Sequence, residues 1–358
     1  MCLSVHHQHR VVLEARETLD RVLDGCPVAT IAKAMDLRTP TGFDRAVAAF
    51  AAGLAKDTRA TDREAVKAAV AALDVDWPST TAEQRRQLVD GALRAAGRRL
   101  VTVPKTIEGR FGRTATDVAR AARVGAIDRH GLRISVDFGA RDTAAIEYVQ
   151  RSSSLFVSDE LRRRLDDFGA EARRLVADGM ERGLGRVEIS GELARAAETQ
   201  MVARSAAYWD VIAASFVANA RSWSQIGAYA DAGIQRYVIE AVLDEHTTEI
   251  CLFLDGKSFS VGDALDRFDR LSSLESPEDI KEIAPWVRSG RDADGNPILY
   301  VKQGGERVQL AQVDRAGTGQ RDRHGEYSRA MSARDMNDAG VGFPPYHGLC
   351  RSTTVADI

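Results

Sequence analysis

The chain has 358 residues, enough for two or three domains and a sizeable core. Hydrophobic residues make up 44% and charged residues 28%, which excludes a disordered or collagen-like chain and reads as an ordinary soluble globular protein. With 49 basic against 52 acidic residues the net charge is −3, so no global attraction to nucleic acid is built in, and no apolar run is long enough for a membrane span or a signal-peptide core.

Four widely spaced cysteines point to a reducing compartment rather than a disulfide framework. The N-terminus carries His6, His7 and His9, read as a polar, fraying end rather than a metal-binding tract. Val12, Ala15, Leu19, Val22 and Leu23 then have helical spacing, stopped by Gly25 and Pro27. Short alanine-rich helices are expected over 40–55 and 62–74. Thr80 and Glu83 have capping-box spacing and open another helix to about Leu100. A weaker helix over 105–127 is interrupted by Gly109 and Gly112. Nothing in these helices carries chemistry.

Residues 132–138 alternate apolar and polar and predict a short strand. Ser158 is the expected N-cap of the next helix, whose eight arginines and eight acids over 151–190 read as a solvated face. The strongest helical signal lies in 190–233. There Val202, Ala206, Trp209, Ala213, Phe216, Ala220 and Trp223 form one seam, either core or an assembly surface, and burial of both tryptophans within one chain excludes the second.

From Arg236 the period becomes extended. Leu252-Phe253-Leu254 followed by Asp255-Gly256 predicts a hairpin, as does 298–302 turning at Gly304-Gly305 into 307–310. Residues 261–290 read as a polar, partly helical insertion, and 314–340 as a loop with one short helix. The expected fold is α+β: a helical N-terminal region over 1–127, a long-helix region over 128–235 and a hairpin-rich domain over 236–358.

Chemistry concentrates in two stretches of this last domain. One is 244–257, with Asp244, His246, Thr247, Cys251, Asp255, Gly256 and Lys257; the other is 344–351, with Pro344, Pro345, His347, Cys350 and Arg351. If the chain folds back, Cys251, His347 and Cys350 meet in a clasp. Three readings stay open. The residues bind a structural zinc, with His246 or Asp244 as fourth ligand. They cluster without metal, with Asp244, Thr247 and Arg351 as the polar part. Or they catalyse, with Cys251 as nucleophile and His347 as base, or a zinc holding a water.

Asp-x-x-Thr, Cys, Asp-Gly-Lys-x-Phe and then Pro-Pro-x-His-x-x-Cys-Arg resemble the Mu-F-type phage head morphogenesis family. The resemblance rests on Asp244, Thr247, Cys251, Asp255, Gly256, Lys257, Phe259, Pro344, Pro345, His347, Cys350 and Arg351 and covers roughly 190–355. Many members carry further cysteines where this chain has Thr248 and Ser352. The resemblance implies a non-enzymatic minor head protein acting in head morphogenesis and DNA packaging or delivery. Such a protein would sit in the head interior or at the portal of a virion, and in the host cytoplasm during assembly. Its implied partners are portal and other head proteins within a larger assembly, with weak contact to packaged DNA and none to membranes. The alternatives are a delivery module attached to a toxin or effector region, and a metal-dependent hydrolase using the clasp.

Overall fold

The computed structural model describes residues 35–319 and 324–358. The helix expected over 10–24 and the N-terminal histidines lie outside the described residues. Helix α1, Pro40–Leu73, starts where Thr39 Oγ1 accepts from Gly42 N at 3.1 Å and Pro40 presets the first turn. It is one helix where two were expected, because Thr58 and Asp62 lie buried on its inner face and no breaker separates the halves. Trp77, fully buried in a short 3₁₀ turn, leads to α2, Ala82–Leu100. Its capping box is Thr81 with Gln84, one residue beyond the expected pair.

Helix α3, Val103–His130, runs through Gly109 and Gly112 and through the boundary expected at 127/128; it stops at Gly131, where φ is +61°. Residues 132–138 form no strand. They connect two helices with no neighbouring strand to pair with, and Arg123 Nε takes the Ser135 carbonyl at 3.0 Å. Helix α4, Ala140–Glu181, begins well before Ser158, whose hydroxyl bonds the Ser154 carbonyl in mid-helix. Helix α5, Arg186–Glu198, continues through a π-turn at Thr199–Ala203 into α6, Arg204–Asp231.

Helix α6 is the wall shared by the whole molecule. On one side it packs on α1, α3 and α4, with Phe216 4.8 Å from the ring of Phe50 and 5.0 Å from that of Phe111. On the other, Trp223 stacks on Phe343 at 4.0 Å. Trp209 and Trp223 are 2% and 4% exposed, so the seam is core within one chain and the assembly-surface reading fails.

The C-terminal region mixes short helices with two antiparallel sheets, ordered β2-β1-β7 and β3-β4-β5-β6. The first contains β1, Arg236–Glu240, β2, Ser258–Ser260, and β7, Thr353–Ala356. Between β1 and β2 lies α7, Glu249–Leu254: the run 252–254 is helical, not a hairpin strand. Residues 250–254 are all buried, and a fully apolar run suits a buried helical turn as well as a strand. Helices α8, Val261–Ser272, and α9, Pro277–Ile283, follow. In the second sheet β3 is Arg288–Arg291, β4 Pro297–Gln303, β5 Glu306–Arg315 and β6 Glu326–Ser328. The β4–β5 hairpin turns as expected at Gly304-Gly305, both at positive φ. Helix α10, Ala333–Asp338, precedes the last loop. One apolar core runs from Leu37 to Ala356, joining the helical bundle to the mixed α+β region.

Candidate metal centre

The first half of the clasp is built on the chain leaving β1. Asp244 N donates to Thr247 Oγ1 at 2.8 Å, the Thr247 hydroxyl donates to the Val242 carbonyl, and His246 N donates to Asp244 Oδ1 at 2.9 Å. This turn delivers Thr248 as N-cap of α7, its hydroxyl accepting from Cys251 N at 3.3 Å. The helix thereby aims the Cys251 sulfur inward. Ala241 N donates to Asp255 Oδ1 at 2.8 Å, and Gly256, at φ +74°, returns the chain to β1 through a 2.9 Å bond to the Ile239 carbonyl.

The second half is pinned by one face of α6. Ser215 Oγ donates to the Gly348 carbonyl at 3.2 Å, and Arg221 Nη2 donates to the carbonyls of Arg351 and Ser352 at 2.9 and 2.7 Å. Gln225 Oε1 accepts from both Thr353 and Thr354, and Tyr229 donates to the Thr354 carbonyl. Arg221 is buried with its guanidinium 4.3 Å above the Phe43 ring, and burial pulls its pKa down to about 10. Pro344-Pro345, joined by a cis peptide, lead into Tyr346, whose carbonyl accepts from Val287 N at 2.9 Å. Strand β7 then pairs with β1, Thr353 opposite Glu240. Arg351 closes the clasp by donating to the Asp244 carboxylate, and its other nitrogen reaches Asp44 on α1 at 3.4 Å. Burial pushes the Asp244 carboxyl up, but the Arg351 hydrogen bond, the His246 N–H and the Arg351 charge together outweigh it and hold the group below the usual carboxylate range.

Cys251, His347 and Cys350 therefore meet. Cys251 Sγ lies 3.2 Å from His347 Nε2 and 4.0 Å from Cys350 Sγ, and the three potential ligand atoms fall within 4.8 Å of one another. Both cysteines are buried and neither forms a disulfide. The pair shares its charge unequally. Its hydrogen bond to Cys350, with burial, raises the Cys251 thiol; burial also opposes ionisation of Cys350, but the bond from Cys251 and the field of His347 outweigh it and lower that pKa. Beside the cluster opens a small pocket with room for roughly one water, walled in part by Val242, Thr248, Leu349 and Ser352.

Of the expected ligands, Cys251, His347 and Cys350 are brought together and His246 is not. His246 stands on the pocket wall with 59% of its side chain exposed and Nε2 3.8 Å from Glu245, because the Asp244 turn holds its backbone outward. Asp244 is engaged by Arg351 instead. The anchors on α6, above all Arg221, were missed by sequence reasoning. Their trace is a set of polar residues at 215, 221, 222 and 225 inside an otherwise apolar, alanine-rich helix.

Fold and cluster define the class: an α+β protein whose helical bundle supports a buried Cys/His/Cys group suited to a metal ion. No family model matches the chain, and no curated protein or solved structure matches it. Two expectations are corrected by these findings. Nothing in the comparisons ties the chain to phage head morphogenesis, and the buried cluster has the make-up of a metal or catalytic centre, so the non-enzymatic head-protein role is not upheld. The expectation that the chain is no enzyme falls on the same cluster, whose three ligands and adjoining pocket give it catalytic potential. Among the described residues, no helix is long and apolar enough to cross a membrane.

Proposed function

We propose that the chain is a metal-dependent hydrolase whose centre is a zinc ion on Cys251, His347 and Cys350. With Zn–S of about 2.3 Å and Zn–N of about 2.05 Å, the edges of a tetrahedron are ~3.8 Å between sulfurs and ~3.6 Å between sulfur and nitrogen. The two separations from Cys251, 4.0 Å to Cys350 and 3.2 Å to His347, lie within a few tenths of an ångström of those edges, and all three ligand atoms fall within 4.8 Å of one another. Two sulfurs and an imidazole suit zinc better than the harder ions that prefer oxygen. Three protein ligands beside a water-sized pocket match the open arrangement of catalytic sites, whereas structural sites use four. That combination is the observation that carries the reading.

Zinc in such a site supplies Lewis acidity and acidifies water, the two requirements for hydrolysis near neutral pH. The chain's own residues supply the rest. Cys350 is the sulfur that ionises first, while Cys251 and His347 are fixed by α7 and by the loop docked on α6. Thr248 Oγ1, which caps α7 by accepting from Cys251 N and lies 3.1 Å from His347 Nε2, lines the pocket beside them. Common ancestry with the Mu-F-type family is retained only as a proposal for the clasp module, 244–257 and 344–351.

The test combines metal content with turnover. Purified protein is expected to carry one zinc per chain and to cleave a p-nitrophenyl ester, a peptide p-nitroanilide or bis(p-nitrophenyl) phosphate. Phenanthroline should abolish that turnover and added zinc restore it. A chain that retains no metal, or whose zinc supports no cleavage in any of the three classes, overturns the reading.

A further inference from the structure

The pocket beside the cluster admits about one water, so the body of any substrate lies outside it, on the surface around its mouth. That surface has two unlike sides. On one stand Leu349, 52% exposed and part of the pocket wall, and Trp286, 44% exposed. Single exposed apolar residues are ordinary, but these two meet at one loop, whereas the other four large ones exposed among the described residues are scattered along the chain. Val287 N donates to the Tyr346 carbonyl at 2.9 Å and so holds the Trp286 segment alongside that loop. The indole edge then lies over Gly348. A methyl group there would fall 3.2 Å from Trp286 Cη2 and 2.8 Å from Val211 Cγ1, so a bare backbone at 348 is what seats the ring. Gly348 is flanked by His347 and Leu349, both in the pocket wall. The other side is polar: His246 beside Glu245, and Arg351 shared between Asp244 and Asp44, three carboxylates around one guanidinium.

We propose that Trp286 and Leu349 are specificity-determining residues: they form an apolar shelf that binds the apolar acyl group of an ester or amide presented to the pocket. The assignment rests on the hydrolase reading and deepens it by naming the substrate class. An arylalkyl group suits the shelf, because an indole and an isobutyl side chain offer mainly apolar area. A phosphodiester does not, since its charge would meet the carboxylates while the one guanidinium is already shared between two of them. Nor does a second copy of the chain, because two side chains supply only a fraction of the roughly 800 Å² per partner that a stable interface buries.

The p-nitrophenyl esters of acetate and 3-phenylpropanoate, with the matching p-nitroanilides, test the shelf on the zinc-loaded full chain. The phenylpropanoyl substrates are expected to show kcat/KM about tenfold or more above the acetyl ones, chiefly through KM. In Trp286→Ala and in Leu349→Ala that preference should fall about tenfold while zinc content stays at one per chain. Both residues stand half exposed, and either variant alone decides. A second readout needs no turnover. Trp286 is the exposed one of four tryptophans, and its fluorescence should be shielded from iodide by 3-phenylpropanohydroxamate but not by acetohydroxamate. Equal kcat/KM on the two acyl groups, a preference that neither variant changes, or turnover confined to bis(p-nitrophenyl) phosphate overturns the shelf and leaves the zinc hydrolase standing. So does a self-associating chain that W286A or L349A makes monomeric. A wild-type chain without metal, or one that cleaves none of these substrates, overturns the parent reading and the shelf with it.

Discussion

In the bundle, Asp62 on α1 is buried with its carboxylate accepting from Ser205 Oγ at 3.0 Å. Burial raises its pKa to about 6, with Ser205 and the nearby Arg164 pulling only partly the other way. The folded value exceeds the unfolded one of about 3.9, so the stability linked to this group is fully present below that pH and is lost as pH rises through about 6. Asp62→Asn removes the ionisation. Relative to wild type the variant should gain stability from pH 4 to pH 8, by up to about 3 kcal/mol, readable in urea unfolding at the two pH values. A difference that does not move with pH would show that the carboxylate stays charged throughout. Asp62 was not legible as buried, since an acid on an alanine-rich helix normally faces water. His246 misled in the opposite sense: its place in the motif suggested a ligand, but a turn two residues wide decides where a side chain points.

Among the elements, α6 carries the most. One of its faces closes the aromatic core; another presents Ser215, Arg221, Gln225 and Tyr229 to the second half of the clasp. Arg221→Met keeps the aliphatic stem over Phe43 but strips two buried carbonyls of their donor. The expected cost is about 2–4 kcal/mol of stability. Zinc affinity should also drop about 10- to 100-fold, because the segment carrying Cys350 loses its support. Chemical denaturation and chelator competition measure the two effects, and an unchanged affinity would show that β7 alone positions Cys350. Elements defined by local chemistry were well read: the hairpin at Gly304-Gly305, the short helix near 335, the seam of α6. Those needing a partner were not. Residues 132–138 have a strand's alternation but no strand to pair with, and 252–254 took the helix that Thr248 caps.

At the scale of the whole molecule, the clasp ties together segments about a hundred residues apart, between which lie β2, the four-stranded sheet and the helices α8, α9 and α10. A metal bound there would stabilise the folded chain by about 2.7 kcal/mol at a hundredfold excess over its Kd. Removing zinc with a chelator should therefore lower Tm by a few degrees, and adding it back should reverse the change. The double variant Cys251→Ser with Cys350→Ser should show neither shift. Identical melts of the stripped and loaded wild type would mean that the cluster holds no metal of structural consequence.

The sequence by itself determined the seam of α6, the short helix within 314–340 and the turn at Gly304-Gly305. Each of these depends on neighbours a few positions away, through periodicity, capping or the backbone freedom of glycine. Only the tertiary structure decided that His246 stays outside, that Arg221 anchors the segment following Cys350, and that a pocket adjoins the cluster. Those outcomes depend on where α6 and β7 place side chains 130 positions apart, as in the bond from Arg221 to the Arg351 carbonyl, and no local pattern records such a distance.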